Sequence, residues 1–199
     1  IFIVVPLFVV VYYAFTNADG AFTMENIYQL KDYIPTFLLS LWYGLLSTVI
    51  CLIIAYPFAY FLTQFSDNSQ RIMMLLVMLP MWMNLLIRTY SWMLILERNG
   101  ILNKVLDIFG LASENGFLNS GSAVVLGMVY NYLPYMILPI YTIMAKLDSS
   151  VVSAAQDLGC NRLQVLRRVI FRLSLPGVVS GITMVFVPSV STFYISQKL

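Results

Sequence analysis

At 199 residues, with 60% apolar side chains, 10% charged ones and a mean hydropathy of +0.85, the chain has too few charges to clothe a soluble domain of its size and belongs in a bilayer. A net charge of +2, small and dispersed, argues against nucleic acid as a partner. The absence of histidine excludes His-based catalytic triads and the usual His-containing metal sites, so no metal site is expected.

Apolar stretches follow one another along the chain, and the first, Ile1 to Phe15, is the shortest. A helix needs about 20 residues to cross a hydrocarbon core of about 30 Å. At about 1.5 Å per residue this run rises only about 22 Å, so residue 1 reads as an internal start and the chain as a fragment. No charged n-region marks it as a signal peptide. Residues 16–36 read as a connection, and Phe37 to Leu62 as a full span whose Trp42 and Tyr43 suit an interfacial belt, as Tyr12 and Tyr13 do before it.

After the connection 63–71, the span Ile72 to Leu96 carries Asn84, Arg88 and Trp92 spaced by four with Ser91 adjacent, which predicts a polar stripe on one helical face. Arg88 is the only charged residue well inside any span. It either snorkels or bonds carbonyls freed near a kink, or it lines a path. Residues 97–120 read as a second outer connection, with a short amphipathic segment at 101–109 and a turn from Asn115 to Gly121. The span Ser122 to Ala145 adds Tyr130, Asn131, Tyr132 and Tyr135, and the span from Leu173 to Ile195 offers Ser189 and Phe193. Pro57, Pro80, Pro134, Pro139, Pro176 and Pro188 all fall in spans and predict a kinked bundle.

These spans hold no Asp or Glu. Trp82, Tyr90, Trp92, Tyr130 and Tyr135 could present π faces to a cation, each contributing about 0.5 to 2 kcal/mol, with the amides Asn84 and Asn131 beside them. Together they form the candidate substrate path. Tyr130 to Tyr135 lie nearer mid-span than the belt aromatics, and the alternative for these rings is ordinary helix packing.

Between the last two spans lies a polar interruption, 148–172. Asp148 or Ser150 can N-cap a helix with apolar positions Val151, Val152, Ala155 and Leu158, and Gly159 supplies the left-handed residue that ends it. Asn161 can cap a second helix with Gln164 as its box partner. Leu163, Leu166, Val169 and Ile170 then share a face, while Arg162, Arg167, Arg168 and Arg172 remain for headgroups, water or a protein groove. Such a hairpin can be gripped by another protein, or it can lie on lipid as an amphipathic element.

Charge sets the orientation. The connections 63–71 and 146–172 carry Arg71, Lys146, Arg162, Arg167, Arg168 and Arg172, against Lys31, Arg98 and Lys104 in 16–36 and 97–120, so the first pair faces the cytoplasm. The acids Asp19, Glu25, Asp32, Glu97, Asp107 and Glu114 then lie outside, as solvated surface or as a mildly anionic vestibule. Cys51 and Cys160 have neither disulfide nor ligand spacing, and no phosphate loop occurs, so any ATP is hydrolysed elsewhere.

The stretch Ala154-Ala155, Gly159 and Leu175-Pro176 resembles the EAA loop of permease subunits of bacterial ABC importers, with Ser153 where that family has its leading Glu. The runs from Leu79 to Tyr90, Leu133 to Tyr141, Lys146 to Gly159 and Val187 to Ser196 are similar to the B-type permeases of spermidine/putrescine importers over nearly the whole chain. The resemblance implies an all-α, kinked polytopic type I importer permease with about five spans present and another expected after them. Residues 1–36 would be a partial first helix with an external loop, and 37–199 the transmembrane domain. It implies a noncatalytic half-pore for polyamines beside a second permease subunit, in the bacterial plasma membrane. Two ATPase subunits holding ATP and Mg would lie below, and a polyamine-binding protein outside. Ala154, Ala155, Asp157, Gly159 and Arg162 would form the ATPase-coupling surface. Relatives with the same loop carry other loads, so the resemblance leaves open a permease for another solute (thiamine, iron, sulfate); a membrane scaffold and a stand-alone channel are the readings from other classes. The short chain by itself is expected not to transport.

Overall fold

In a bilayer every backbone N–H and C=O must be satisfied within the chain, and helices do so locally. The computed structural model describes residues 4–16, 24–98, 100–108 and 121–196. Along these run α1 (Val4–Ala14), α2 (Glu25–Leu62), α3 (Asp67–Trp82), α4 (Leu85–Leu96), α5 (Ile101–Ile108), α6 (Gly121–Met144), α7 (Ser149–Asp157), α8 (Arg162–Val165), a π turn (Leu166–Ile170) and α9 (Phe171–Ser196). The chain divides into two units, residues 1–41 and 42–199. The first holds α1 and the part of α2 up to Leu41, where Ser40 Oγ donates to the Phe37 carbonyl at 2.8 Å.

The second unit is built on three helices whose buried faces are recorded at helical spacing. Cys51, Ala55 and Ala59 recur every four residues on α2, followed by Leu62. Met136, Ile137, Ile140 and Met144 on α6 and Val178 and Val185 on α9 join them in one core. Polarity is inverted relative to a soluble protein. Ser47, Thr48, Ser174 and Ser189 are buried, whereas Ile53, Phe61, Leu126, Val179 and Val187 are exposed. Thr48 donates to Gly44 at 2.7 Å and Ser189 to Phe186 at 2.8 Å within their own helices, whereas Ser47 donates to Met128 Sδ on α6 at 3.5 Å and Ser174 of α9 shares a bond with the Tyr56 hydroxyl of α2 at 3.2 Å.

Small residues let these helices approach closely. A Cβ on Gly177 of α9 would stand 2.8 Å from the Pro139 carbonyl oxygen of α6. Gly177→Ala is therefore expected to lower the thermal midpoint of the purified protein by the equivalent of about 1–3 kcal/mol, since backbone on both sides must move. Gly127→Ala, where a Cβ meets nothing within 4 Å, should not lower it. Equal midpoints for the two variants would contradict this close packing.

The structure corrects several boundaries. The expected connection 16–36 is helical from Glu25 onward. No glycine stands between Gly20 and Gly44, and once nucleated the helix gains a bond with each added residue. The connection 63–71 is shortened because α3 starts at Asp67, an acid well placed in a first turn. α6 and α9 run unbroken through Pro134, Pro139, Pro176 and Pro188. Three described helices are long and apolar enough to cross a bilayer, and the expected span Ile72–Leu96 is not one helix: α3 and α4 meet at 91°. The expected segment 101–109 is α5, while most of the turn expected between Asn115 and Gly121 lies outside the described residues.

Candidate functional site

The hairpin is built by local capping at every step. Asp148 accepts from the Ser150 N–H at 2.9 Å, and this bond holds its carboxyl below the usual carboxylate range. At the other end of α7, the Gly159 N–H reaches the Gln156 carbonyl at 2.8 Å and the Cys160 N–H the Ala155 carbonyl at 3.1 Å. This is a Schellman closure, and it requires the left-handed backbone that Gly159 adopts at φ 83°. Asn161 and Gln164 then exchange reciprocal bonds: the Gln164 N–H donates to Asn161 Oδ1 at 2.8 Å, and the Asn161 N–H to Gln164 Oε1 at 2.9 Å.

Ala155, Val165 and Ile170 are buried and fasten the hairpin to the core, with Val152 packed against them. Two residues expected on that apolar face are not there. Val151 is exposed, and Leu158, the C-cap of α7, is 86% exposed at the tip. Helical spacing alone placed Leu158 inward, but the closing turn ends the helix and carries the side chain outward. The outward surface is therefore Ala154, Asp157, Leu158 and Gly159, whereas Ala155 faces inward. Arg162 opens α8, and its side chain lies outside the described ones. The second arm is also not a separate helix, because α8 passes through the π turn directly into α9, with the Phe171 N–H on the Leu166 carbonyl.

The candidate path is divided by the break between α3 and α4. After Pro80 the helix ends, with Met83 N–H on the Pro80 carbonyl at 3.3 Å. Asn84 becomes the N-cap of α4, and its side-chain oxygen accepts from Leu86 N–H at 2.8 Å. That bond takes Asn84 out of the expected stripe as a free amide oxygen. Arg88 is 8% exposed and donates from Nη1 to the Pro80 carbonyl at 3.0 Å, spanning the break, while its buried Nε lacks a partner. Of the two roles left open for it, bonding a carbonyl at a kink is the one with geometry behind it.

Trp92 meets Tyr130 edge to face, with ring centroids 5.0 Å apart. Asn131 follows, its Oδ1 buried without a partner. Tyr132 donates to the Pro188 carbonyl at 3.3 Å and stands 6.3 Å from Tyr135, whose ring is exposed. Asn131 and Tyr135, four apart on α6, share a face with the open position at Gly127. Trp82, 80% exposed, ends α3 on the far side of the break, and Tyr90 is exposed two residues, more than a half-turn, away from Trp92 around α4. So Trp92 and Tyr130 meet between α4 and α6, Asn131 and Tyr135 share a face of α6, and Trp82, Asn84 and Tyr90 stand apart from the Trp92–Tyr130 pair.

Residues 55–198, which include the hairpin, the broken span and the α6–α9 core, match the family model described as binding-protein-dependent transport system inner membrane component. The chain belongs to that family. A multi-pass transport permease accounts for its apolar helices and its inverted polarity. Over 209 aligned positions this permease is 36% identical to the spermidine/putrescine transport system permease protein PotB of Haemophilus influenzae, covering all of this chain and 72% of the relative. The protein of the same description from Escherichia coli K12 is 34% identical over 208 positions, all of this chain and 76% of the relative. A more distant relative, the inner membrane ABC transporter permease protein YdcU of the same strain, is 28% identical over 75% of this chain and 52% of its own length.

Proposed function

We propose that this permease forms half of the translocation path of an ATP-driven polyamine importer in the bacterial plasma membrane. The observation that carries the reading is similarity to PotB permeases along the entire chain, hairpin and aromatic spans included. On this reading a second permease completes the path, two ATPase subunits bind ATP and Mg on the cytoplasmic side, and a polyamine-binding protein delivers solute from outside. The chain itself is noncatalytic. Its hairpin faces the cytoplasm, consistent with the excess of Lys and Arg in connections 63–71 and 146–172.

Coupling follows from differential binding. ATP favours the closed ATPase dimer, and the hairpin transmits that preference only if it grips the ATPase through Ala154, Asp157, Leu158 and Gly159. Trp92, Tyr130, Asn131 and Tyr135 would line this subunit's side of the path, with Arg88 turned to the Pro80 carbonyl beside it; because a guanidinium repels a polyamine in a low-dielectric cavity, an acid of the partner permease would have to answer its charge. Trp82 and Tyr90, exposed elsewhere, would meet the cation only through the partner subunit.

The test is uptake by the full-length permease assembled with its partners. Spermidine and putrescine should be concentrated in a binding-protein-dependent way, and thiamine, sulfate and iron should not. Accumulation of one of those solutes without any polyamine uptake would overturn the assignment. Within the same assay Trp92→Ala and Tyr135→Ala should each lower uptake by the equivalent of about 0.5 to 2 kcal/mol, whereas Tyr135→Phe, which keeps the π face, should not. Unchanged uptake in the Trp82, Trp92 and Tyr135 triple alanine variant would remove the aromatic path.

A further inference from the structure

The base of α9 carries a charge arrangement that the transport reading does not use. Arg167, Arg168 and Arg172 are all exposed, and none makes an ion pair with a described residue. From Leu158 to the end of the chain the sequence contains no Asp or Glu, so nothing nearby in sequence neutralises them. The π turn at Leu166–Ile170 acts on this cluster directly. In an α-helix two residues five apart, such as Arg167 and Arg172, point about 140° away from each other. The π turn closes Phe171 onto Leu166, one residue later than an α-turn would, and so narrows the angle between Arg167 within it and Arg172 two residues beyond it. Arg168 and Arg172, four apart, already share a face.

Immediately beyond the arginines, Phe171, Leu173 and Leu175 are exposed apolar side chains at the start of the long span. A cationic group lying within about 9 Å of axial rise from exposed hydrocarbon-seeking residues is at the height of lipid headgroups. The tip residues Leu158 and Gly159 lie on the other side of α8, at least eight positions away along the chain.

We propose that Arg167, Arg168 and Arg172, gathered by the π turn, form a binding site for the phosphate of an anionic phospholipid at the foot of α9. A phosphate diester offers the acceptor oxygens that guanidinium forks match, and its acyl chains cover Phe171, Leu173 and Leu175. Lipid is favoured over an acidic groove of the ATPase because the same residues require hydrocarbon next to the charge. Which leaflet supplies the lipid rests on the membrane placement proposed above; the existence of the site does not.

The purified full-length permease complex in nanodiscs of phosphatidylcholine mixed with phosphatidylglycerol tests this, with co-retained lipid read by native mass spectrometry. The wild type should retain phosphatidylglycerol preferentially. Replacing the three arginines by glutamine should reduce that preference roughly fivefold for each residue removed, the worth of one basic side chain near an anionic surface. Replacement by lysine, which keeps the charges, should preserve most of it and controls for misfolding. Equal retention by wild type and glutamine variant would overturn the site. So would loss of the ATPase from the glutamine variant in purely phosphatidylcholine nanodiscs, which would assign the arginines to a protein groove. No solute or nucleotide enters the measurement, so its failure would leave the importer reading intact.

Discussion

Gly159→Val should abolish polyamine uptake while leaving the permease inserted and folded. Gly159 sits at φ 83°, and a Cβ there would meet nothing within 4 Å, so the cost of substitution is backbone strain alone. Left-handed geometry costs an ordinary L-residue about 1–2 kcal/mol, and β-branching makes it worse. Relief of that strain would open the bonds from Gly159 and Cys160 to α7 and turn Leu158, Asp157 and Ala154 away from whatever they dock on. The predicted order of uptake is Gly, then Asn, then Ala, then Val, because Asn tolerates this region best among residues with a side chain. ATPase association, measured by copurification in detergent, should fall in the same order. A valine variant with full association and full uptake would remove the hairpin from the coupling role.

Arg88→Met is the second large effect, and here stability and activity should separate. A buried guanidinium with one bond and an unpartnered Nε contributes little net stability, because its desolvation cost opposes the charge-assisted bond to Pro80. Replacing it with an unbranched apolar side chain should leave the thermal midpoint nearly unchanged. The bond across the α3–α4 break is nevertheless lost. With a hydrogen bond to a charged group worth about 1.5–3 kcal/mol, α4 should lose its fixed position and uptake should drop on the order of tenfold or more. Arg88→Ala, which adds a cavity, should lose both stability and uptake. Unaltered uptake in the methionine variant would show that the bend does not depend on this residue. A parallel fall in midpoint and uptake would show that Arg88 serves only the fold.

The hairpin was legible almost atom by atom. The capping pair Asn161–Gln164, the cap at Asp148 and the left-handed Gly159 all operate within five residues, so sequence spacing specifies them. The same logic failed at Leu158, where periodicity was extended one residue beyond the helix it described. The candidate path was less legible. Asn84, Arg88 and Trp92 have the spacing of one face, but that inference assumed an unbroken helix, and Pro80 lay just upstream.

Composition and local pattern by themselves determined the bilayer as solvent, the main spans, the short helix near residue 101 and the caps of the hairpin, because each depends on side-chain transfer energies or on partners a few residues away. Only the tertiary structure decided that α6 and α9 continue through their prolines while the chain turns by 91° after Pro80. It alone buried Arg88 against the Pro80 carbonyl at the end of α3, set Trp92 on Tyr130 and left Trp82 and Tyr90 apart. A proline frees a carbonyl in every helix it enters, and whether the helix bends depends on which distant or neighbouring group answers that carbonyl, a choice made by packing rather than by spacing.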